Sequence, residues 1–417
     1  MSRDTFVTIG AGQAAAVAAR NLRRRGFDGR IVLLGDEPHP PYQRPPLSKE
    51  FLAGADTEES LWILPPAWVT DNNVDVITGA TVVRVDTASG TVELADGPGI
   101  RADAVLFATG GSPRTLQVSG PRPELVHYLR TLDDARRLAP TLTSGQRLAI
   151  VGAGFIGLEI AATAAAAGVE VTVLETAPVP LARAIGPAMG ETICRLHRSA
   201  GVDLRVGVDL AGIRTTNDGV VIELTGAARP VEADAVVIGI GISPNTAAAA
   251  ASGLLIDDGI VVDALGRTAV PNIYAAGDVA RRFSPRAGRH LRLEHLDNAS
   301  RQGAAVANTM LGRVAASDDP PWFWSDQHNR NLQFVGAATG TPVIRGDLDG
   351  FEFTGFYLQD SAVCGAFTID RGEDIAAARE LLGRRVDIPT LLDEDTDLWD
   401  LVYADTDHTD EQVQVTM

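Results

Sequence analysis

Lysine is nearly absent from this 417-residue sequence, in which Lys49 is the single lysine among 36 basic residues. A chain that uses arginine for almost every other cation keeps an ammonium at one position. Lysine is a compact charge whose pKa responds readily to a buried site, so composition alone makes Lys49 a candidate functional residue. The alternative is that one lysine persists by chance.

Cysteine is almost as scarce. Cys194 and Cys364 lie far apart and form no CxxC pair. This argues against a redox-active disulfide and favours a reducing cytoplasm. No metal-ligand spacing is present, and we predict no metal site.

Long apolar runs and excess positive charge are also missing. Glycines and Glu159 interrupt the longest apolar run, and no signal peptide precedes the first strand, so we expect no membrane partner. The net charge of −18 makes nucleic acid an unsuitable partner. Residues 393–411 hold nine acids and no Lys or Arg, which predicts a solvated, partly disordered tail.

The most informative motif runs from Leu148 to Glu175 and predicts a strand, a glycine turn, a helix and a second strand. Gly152, Gly154 and Gly157 have the G-x-G-x-x-G spacing that brings a helix N-terminus close to a pyrophosphate. Glu175 follows the second strand, where a carboxylate accepts hydrogen bonds from a ribose 2′-OH. The motif therefore predicts a nicotinamide dinucleotide site that favours NADH.

A second copy of this pattern begins the chain. The strand Thr5–Ile9 leads to Gly10, Gly12 and Ala15, and the strand 31–34 is followed by Asp36. Two nucleotide folds suggest two nucleotides, usually FAD in the first and a nicotinamide nucleotide in the second.

The remaining segments give further expectations. A proline-rich loop presents Arg44 and Lys49, and residues 74–105 predict antiparallel strands. The next strand stops at Ala108, Thr109 and Gly110. We expect a helix over 291–302, and from Pro320 a third domain with a strand at 363–369 and a helix at 374–382.

Several motifs, in this order and spacing, resemble the FAD-dependent ferredoxin reductases of bacterial dioxygenase and cytochrome P450 systems. They are RPPLSKEFL, LPPAWV, ATGGSPR, YLRTLDDA, GAGFIGLEIA, YAAGDVA and PWFWSDQ. The resemblance covers nearly the whole chain. It implies an α/β fold with two Rossmann-like dinucleotide-binding domains in a glutathione-reductase-like layout, plus a smaller α+β C-terminal domain. The expected domains are FAD-binding at 1–110 and 234–319, NADH-binding at 111–233 and C-terminal at 320–417.

The resemblance also implies the site residues. Lys49 and Glu159 are the expected catalytic pair beside the flavin, although Glu159 alone is equally a helix-start carboxylate favoured by the dipole. The expected FAD contacts are Gly10, Gly12, Ala14, Ala15, Asp36, Arg44, Lys49, Val82, Ala108, Thr109, Gly110, Arg130, Gly277, Asp278, Leu296 and Trp324. The expected NAD contacts are Gly152, Gly154, Phe155, Ile156, Gly157, Glu159, Glu175, Arg183, Gly239, Ile240 and Gly241.

Four of these residues carry alternatives. Many relatives have tryptophan where Leu296 stands, so we expect backbone contact with the flavin there but no aromatic stacking. For Arg130 and Arg183 the alternative is a solvated surface arginine. For Trp324 the alternative is a core aromatic, which is what we expect of Trp322.

A basic stretch lies between two flavin-contacting motifs of this acidic chain. It contains Arg281, Arg282, Arg286, Arg289 and Arg292. Small [2Fe-2S] ferredoxins are usually acidic, so this stretch is a candidate docking rim. The alternative is a set of solvated arginines in a mobile loop.

Together these patterns predict a ferredoxin--NAD(+) reductase, an oxidoreductase that passes electrons from NADH through FAD to a [2Fe-2S] ferredoxin. That ferredoxin would feed a cytochrome P450 or a Rieske ring-hydroxylating dioxygenase. Two alternatives stay open: the same layout with rubredoxin or a quinone as acceptor, and an NADH-binding redox sensor like relatives of apoptosis-inducing factor. The missing cysteine near residues 40–50 disfavours an NADH peroxidase or oxidase.

Overall fold

The structure is a computed structural model that describes residues 4–226, 229–314 and 318–403. Its strands are β1 (Thr5–Ile9), β2 (Arg30–Leu34), β3 (Val74–Ile77), β4 (Val82–Asp86), β5 (Thr91–Leu94), β6 (Ile100–Arg101), β7 (Ala104–Phe107), β8 (Gly111–Pro113), β9 (Val126–His127), β10 (Arg147–Val151), β11 (Glu170–Glu175), β12 (Asp203–Val206), β13 (Leu210–Thr215), β14 (Val220–Leu224), β15 (Val231–Ala233), β16 (Ala235–Ile238), β17 (Ile242–Pro244), β18 (Ile260–Val262), β19 (Ile273–Ala275), β20 (Ala280–Ser284), β21 (Arg289–Leu291), β22 (Trp322–Gln327), β23 (Arg330–Gly336), β24 (Val343–Asp347), β25 (Glu352–Gln359) and β26 (Ala362–Ile369).

The α-helices are α1 (Gln13–Arg24), α2 (Pro66–Asp71), α3 (Leu132–Leu138), α4 (Phe155–Ala166), α5 (Ala182–Ser199), α6 (Ala247–Ala251), α7 (Leu296–Met310), α8 (Gly372–Leu381), α9 (Ile388–Leu392) and α10 (Leu398–Tyr403). Short 3-10 helices cover Pro45–Ser48, Glu59–Leu61, Pro123–Leu125 and Ala139–Thr141. In the described part of the chain, no helix is both long and apolar enough to cross a membrane.

The chain divides into two compact units. The first unit comprises Met1–Pro46, Gly54–Arg114 and Gly241–Asp319. The second unit comprises Leu47–Ala53, Thr115–Ile240 and Pro320–Met417.

The first unit is built on a parallel sheet in the order β19-β7-β1-β2-β3. In β1, Phe6, Val7 and Ile9 are all buried, as in a parallel sheet with both faces covered. The antiparallel sheet β4-β5-β6 belongs to the same unit. The prediction of antiparallel strands over 74–105 is therefore correct for β4 to β6 and wrong for β3, which pairs in parallel with β2.

The second unit repeats this plan. Its parallel sheet runs in the order β12-β11-β10-β16-β9, and the antiparallel sheet β13-β14-β15 follows β12 in the chain. The boundary predicted at residue 233 differs from the structure, because β16 pairs with β10 in this sheet. The first unit resumes only at Gly241.

The C-terminal segment of the second unit forms an antiparallel sheet in the order β22-β23-β26-β25-β24. Phe334, Phe353 and Phe367 of this sheet share one buried cluster with Ile160 of α4 and Ile193 of α5. This shared cluster explains why the segment and the second nucleotide fold make one unit. The predicted strand at 363–369 and helix at 374–382 correspond to β26 and α8.

Two expectations need correction. The predicted helix at 291–302 begins only at Leu296, because Arg289–Leu291 forms strand β21 and pairs with β20. The predicted tail begins too early, since α10 buries Leu398 and Val402 in a core cluster. The rest of that tail, from residue 404, lies outside the described residues.

Candidate functional site

The first glycine turn connects β1 to α1. Gly10 has a φ of +106°, and a Cβ there would lie 2.2 Å from the carbonyl oxygen of Ala108. A Cβ on Gly12 would meet no atom within 4 Å. The turn therefore requires glycine at its first position and leaves open space before the N-terminus of α1, where a phosphate can accept hydrogen bonds from free N–H groups.

The second glycine turn connects β10 to α4 and has the same geometry. Gly152 has a φ of +102°, and Gly154 again faces open space. A Cβ on Gly157 would lie 2.2 Å from the carbonyl oxygen of Gly152, so the third glycine lets the helix pack against the turn. Both turns present the cradle that a dinucleotide requires. Ala15 takes this third position in the first copy and is fully buried.

Glu175 ends β11 beside the second turn. Its Oε2 accepts a hydrogen bond from the Ala153 N–H at 2.7 Å, and its Oε1 accepts one from the Ala177 N–H at 2.8 Å. These contacts hold the carboxylate where it can receive a ribose hydroxyl and repel a 2′-phosphate.

Asp36 is not the register counterpart of Glu175. Val151 pairs with Leu174 and Ile9 pairs with Leu34, so Gly35 occupies the equivalent position. Asp36 comes one residue later and is exposed. Its role toward a ribose stays a prediction.

Arg44 is held by an acidic partner that the sequence did not reveal. Its guanidinium pairs with Glu37 at 2.5 Å and lies 5.2 Å from the centre of the Tyr42 ring. Burial lowers the pKa of Arg44, but Tyr42, Glu37 and, more weakly, Asp278 outweigh burial and raise it. The predicted FAD residues Arg44 and Asp278 are therefore electrostatic neighbours.

Gly277 and Asp278 follow β19. A Cβ on Gly277 would lie 3.2 Å from that of Ala14, and one on Gly303 of α7 would lie 2.4 Å from the Ala14 carbonyl oxygen. The N–H of Gly277 donates to Gln302 Oε1 at 2.9 Å. The structure thus brings the GD motif and α7 close to the start of α1, where the first glycine turn ends.

The loop at Ala108, Thr109 and Gly110 is fixed by Asn245, another residue that the sequence did not single out. Asn245 Nδ2 donates to the Thr109 carbonyl at 3.0 Å, and the Asn245 N–H donates to the Gly110 carbonyl at 3.0 Å. Val82 and Leu296 are half-buried in the same unit. Their contacts with FAD stay predictions.

Lys49 and Glu159 form the expected ion pair, so this predicted pairing is confirmed. Lys49 Nζ lies 3.0 Å from Glu159 Oε1, and the two side chains are 9% and 4% exposed. Ser325 donates to Oε1 at 2.6 Å and Ser48 donates to Oε2 at 2.5 Å. Burial raises the pKa of Glu159, and the charge of Lys49 opposes that rise. Only the fold brings the two serines to this carboxylate.

The residues around the second turn divide between core and surface. Phe155 packs edge-on against Phe323 at 4.5 Å, whereas Ile156 is 43% exposed. The carbonyl oxygen of Gly239 lies under Gly152. Ile240 ends this part of the second unit, and Gly241 belongs to the first.

Three further predicted contacts, outside the glycine turns in sequence, belong to the second unit. The Arg130 N–H donates to Asp134 at 3.0 Å, directly before α3. Arg183 is exposed near the start of α5. Trp324 stacks on Trp322 at 5.4 Å, and both residues are partly exposed; Trp322 packs against a buried core cluster, as expected. Their roles toward nucleotides stay predictions.

The predicted docking arginines occupy a β-hairpin, β20 and β21, instead of a mobile loop. Arg281 pairs with Asp257 at 3.1 Å, and Arg292 pairs with Glu294 at 2.6 Å and with Asp258 at 3.3 Å. Burial lowers the pKa of Arg282, against the charges of Asp318 and Asp319. Arg286 and Arg289 are exposed. The two exposed arginines of the stretch therefore lie at the hairpin end, where the Asp318 carboxylate also accepts a hydrogen bond from the Arg286 N–H.

Comparison with known proteins shows similarity along the whole chain. The family model described as pyridine nucleotide-disulphide oxidoreductase matches residues 4–303, and the one described as reductase C-terminal matches residues 322–402. Rhodocoxin reductase of Rhodococcus erythropolis is 38% identical over 408 residues, which cover 97% of this chain and 95% of that protein.

Two further relatives agree with this. The ferredoxin--NAD(+) reductase component of the anthranilate 1,2-dioxygenase system of Burkholderia cepacia is 40% identical over 92% of this chain and 95% of its own length. The reductase in the crystal structure of the covalent putidaredoxin reductase–putidaredoxin complex is 36% identical, with a TM-score of 0.92 over 97% of this chain and 99% of that one. All three relatives therefore match nearly the entire chain.

Proposed function

Because the chain belongs to the pyridine nucleotide-disulphide oxidoreductase family, among its ferredoxin--NAD(+) reductases, we propose that it passes electrons from NADH through FAD to a [2Fe-2S] ferredoxin. That ferredoxin would serve a cytochrome P450 or a ring-hydroxylating dioxygenase. The observation that carries the proposal is the pair of glycine turns of equal geometry, of which one is followed by Glu175.

The residues present fit both nucleotides. FAD, when bound, supplies the change from a two-electron donor to single-electron transfers, which a nicotinamide alone does not make. The first unit would hold FAD at the Gly10 turn, α1 and the Gly277-Asp278 motif. The second unit would hold NADH at the Gly152 turn and Glu175. The chain's contribution to electron transfer is then positioning and electrostatics.

Lys49 and Glu159 enter this proposal as fixed charges. Hydride transfer from a nicotinamide needs no side-chain acid or base. A buried ammonium with a carboxylate partner instead sets the local field in a site of low dielectric constant. We propose that the pair tunes the nicotinamide and flavin sites and that neither residue is a nucleophile.

Two finer assignments follow, the residues that dock ferredoxin from the distribution of charge and the cellular location from the state of the cysteines. We propose that Arg286 and Arg289 carry most of the attraction for an acidic ferredoxin, since they are exposed whereas the other three arginines are partly buried beside acids. We also propose a cytoplasmic location, because Cys194 and Cys364 are free thiols, as expected in a reducing compartment.

The test is NADH-driven reduction of cytochrome c by the purified, FAD-loaded protein, with and without a [2Fe-2S] ferredoxin, repeated with NADPH. We expect turnover that depends on the ferredoxin and on NADH. Rapid bleaching of the flavin by NADH with no turnover on any of several [2Fe-2S] ferredoxins would overturn the proposal that a ferredoxin is the electron acceptor. In that case, turnover with rubredoxin or a quinone would identify the acceptor class, and slow reoxidation with every acceptor would favour a sensor.

A further inference from the structure

A chain of hydrogen bonds leads away from Glu159 through the second unit. Ser325 Oγ lies 2.6 Å from Glu159 Oε1, and Gln327 Nε2 lies 2.9 Å from Ser325 Oγ. His197 Nε2 lies 2.8 Å from Gln327 Oε1, and His328 Nε2 lies 3.0 Å from His197 Nδ1. Three side chains therefore connect the carboxylate to a partly exposed histidine.

The secondary structure explains this alignment. Ser325 and Gln327 are two residues apart on β22, so both point to the same buried face. His328 and Asn329 have φ values of +52° and +58° and form the two-residue turn between β22 and β23. That turn places His328 at the outer end of the hydrogen-bond chain, next to His197 of α5.

The three side chains in the middle of this hydrogen-bond chain are buried away from water. Ser325 and His197 are 0% exposed and Gln327 is 1% exposed. Lys49 is the charged group that acts on Glu159, and His328 is the titratable group that acts on His197. Burial and the nearby His328 also lower the pKa of His197 to about 4, so its ring is neutral near pH 7.

Every hydrogen bond in this chain of bonds donates in the direction of Glu159. The Gln327 amide accepts from His197 and donates to Ser325, which leaves the Ser325 hydroxyl hydrogen for Glu159. Neutral His197 then carries its proton on Nε2 and accepts from His328 at Nδ1. The opposite direction requires Glu159 to donate, which only a protonated carboxyl can do.

From this geometry we propose that Ser325, Gln327 and His197 are positioning residues that keep the Glu159 carboxylate ionised opposite Lys49. The amide fixes the direction of the bonds, and the bonds favour the charged carboxylate. The importance of this for turnover rests on the proposed function, in which Lys49 and Glu159 tune the nucleotide sites.

His328 makes the direction sensitive to its own charge. A charged histidine carries protons on both ring nitrogens and can only donate to His197. Protonation of His328 therefore reinforces the direction that ends at an ionised Glu159. A fall in pH that protonates the partly exposed His328 therefore opposes protonation of the buried Glu159.

The first experiment measures the protonation of Glu159 directly in the FAD-loaded, full-length protein. Infrared difference spectra over a pH series follow the carboxylic acid band, which Glu159→Gln identifies by its loss. We expect Gln327→Leu to raise the apparent pKa of Glu159 by about one pH unit, because Ser325 loses the amide donor that directs its hydroxyl hydrogen to the charged carboxylate. Ser325→Ala should raise it at least as much.

Gln333→Leu is the matched control. Gln333 lies on the adjacent strand β23 and donates to Asn331, outside this chain of bonds. This variant should leave the Glu159 titration unchanged. If Gln327→Leu does not fold, Ser325→Ala decides the test, since it removes a single oxygen atom. An unchanged titration in folded Gln327→Leu or Ser325→Ala would overturn the proposal.

Turnover separates this inference from the proposed function. If the infrared shift is present but Glu159→Gln oxidises NADH with ferricyanide at the wild-type rate, the positioning role stands and the catalytic role of Glu159 falls. If NADH turnover is lost in Glu159→Gln and the infrared shift is absent, the catalytic role stands and the positioning proposal falls.

Discussion

At the residue scale, one carboxylate distinguishes the two nucleotide turns. Glu175 accepts hydrogen bonds from Ala153 in the second turn and from Ala177 just after β11, whereas Gly35 occupies the equivalent register position in the first copy. A carboxylate at this point favours a ribose with a free 2′-OH and repels a 2′-phosphate. This difference supports the proposal that the second unit binds NADH.

Glu175→Ala should therefore weaken NADH binding and reduce the protein's preference for NADH over NADPH. We expect KM for NADH to rise about tenfold, as one charge-assisted hydrogen bond is lost. Steady-state kinetics with ferricyanide measures this. Glu170→Ala makes the same charge change at the exposed start of β11 and should leave KM unaltered; equal effects of both changes would contradict the assignment.

His197 makes stability depend on pH. Its pKa is about 4 in the folded protein and about 6.5 in the unfolded chain, so the unfolded state binds the proton first as pH falls. The free energy of unfolding should drop by about 3 kcal/mol between pH 6.5 and pH 4. His197→Gln should remove this part of the pH dependence in urea melts. His290→Gln, at a half-exposed histidine, should retain it.

The sequence predicted some of these residues and not others, for physical reasons. Lys49 was recognisable because lysine is otherwise absent, and Glu175 because its spacing from the glycines is set by the βαβ unit. Ser48, Ser325 and Asn245 carry no such signal. They reach their partners only through long-range folding, which composition and spacing do not encode.

At the element scale, the second glycine turn assigns different tasks to its glycines. Gly157 is needed for packing, since its Cβ would collide with the Gly152 carbonyl, whereas Gly154 faces open space. Gly157→Ala should lower both the unfolding temperature and NADH affinity. Gly154→Ala should lower NADH affinity alone. Thermal unfolding and NADH titration distinguish the two, and equal destabilisation would refute the packing role of Gly157.

The segment that contains α9 is anchored by one buried arginine. Arg345 is 4% exposed and donates to the carbonyls of Leu391, Asp393, Glu394 and Thr396. Arg345→Met leaves these carbonyls without their donor and should cost about 3 kcal/mol.

Urea unfolding measures that cost, and limited proteolysis should cut first within residues 388–403. Arg330→Met is the control, because its pair with Asp370 is only partly buried and should contribute about 0 to 1 kcal/mol. Comparable losses in both variants would mean that Arg345 is an ordinary surface arginine in energetic terms.

The secondary-structure predictions were correct where the pattern of apolar residues was strong, and they were wrong where the pattern suited two different structures. The strand and helix of each βαβ unit follow from buried apolar runs beside glycine turns. The start of α7 was predicted at Leu291, which is too early, because Leu291 suits a strand as well as a helix and ends β21, which pairs with β20. Likewise α10 lies within an acidic stretch of the sequence but buries two apolar residues.

At the scale of the whole molecule, charge is distributed unevenly. The chain carries a net charge of −18, yet Arg286 and Arg289 stand exposed on one hairpin. An acidic ferredoxin would meet repulsion over most of the surface and attraction at this point, which favours correct encounters and makes the rate sensitive to salt.

Arg286→Glu combined with Arg289→Glu should raise the apparent KM for ferredoxin about tenfold at low salt and leave NADH-to-ferricyanide turnover intact. The difference from wild type should shrink at high salt, because screening removes steering. Arg101→Glu, at an exposed arginine on β6 of the same unit, is the control. A parallel fall in both activities would contradict the docking role.

The burial of Lys49 has a practical consequence for chemical labelling. It carries the chain's single ε-amine; the side chain is 9% exposed and the amine is paired with Glu159. Acylating reagents reach it only when the surrounding structure opens. The rate of modification at this one amine, read by mass spectrometry, therefore reports how often the second unit opens, without any engineered probe.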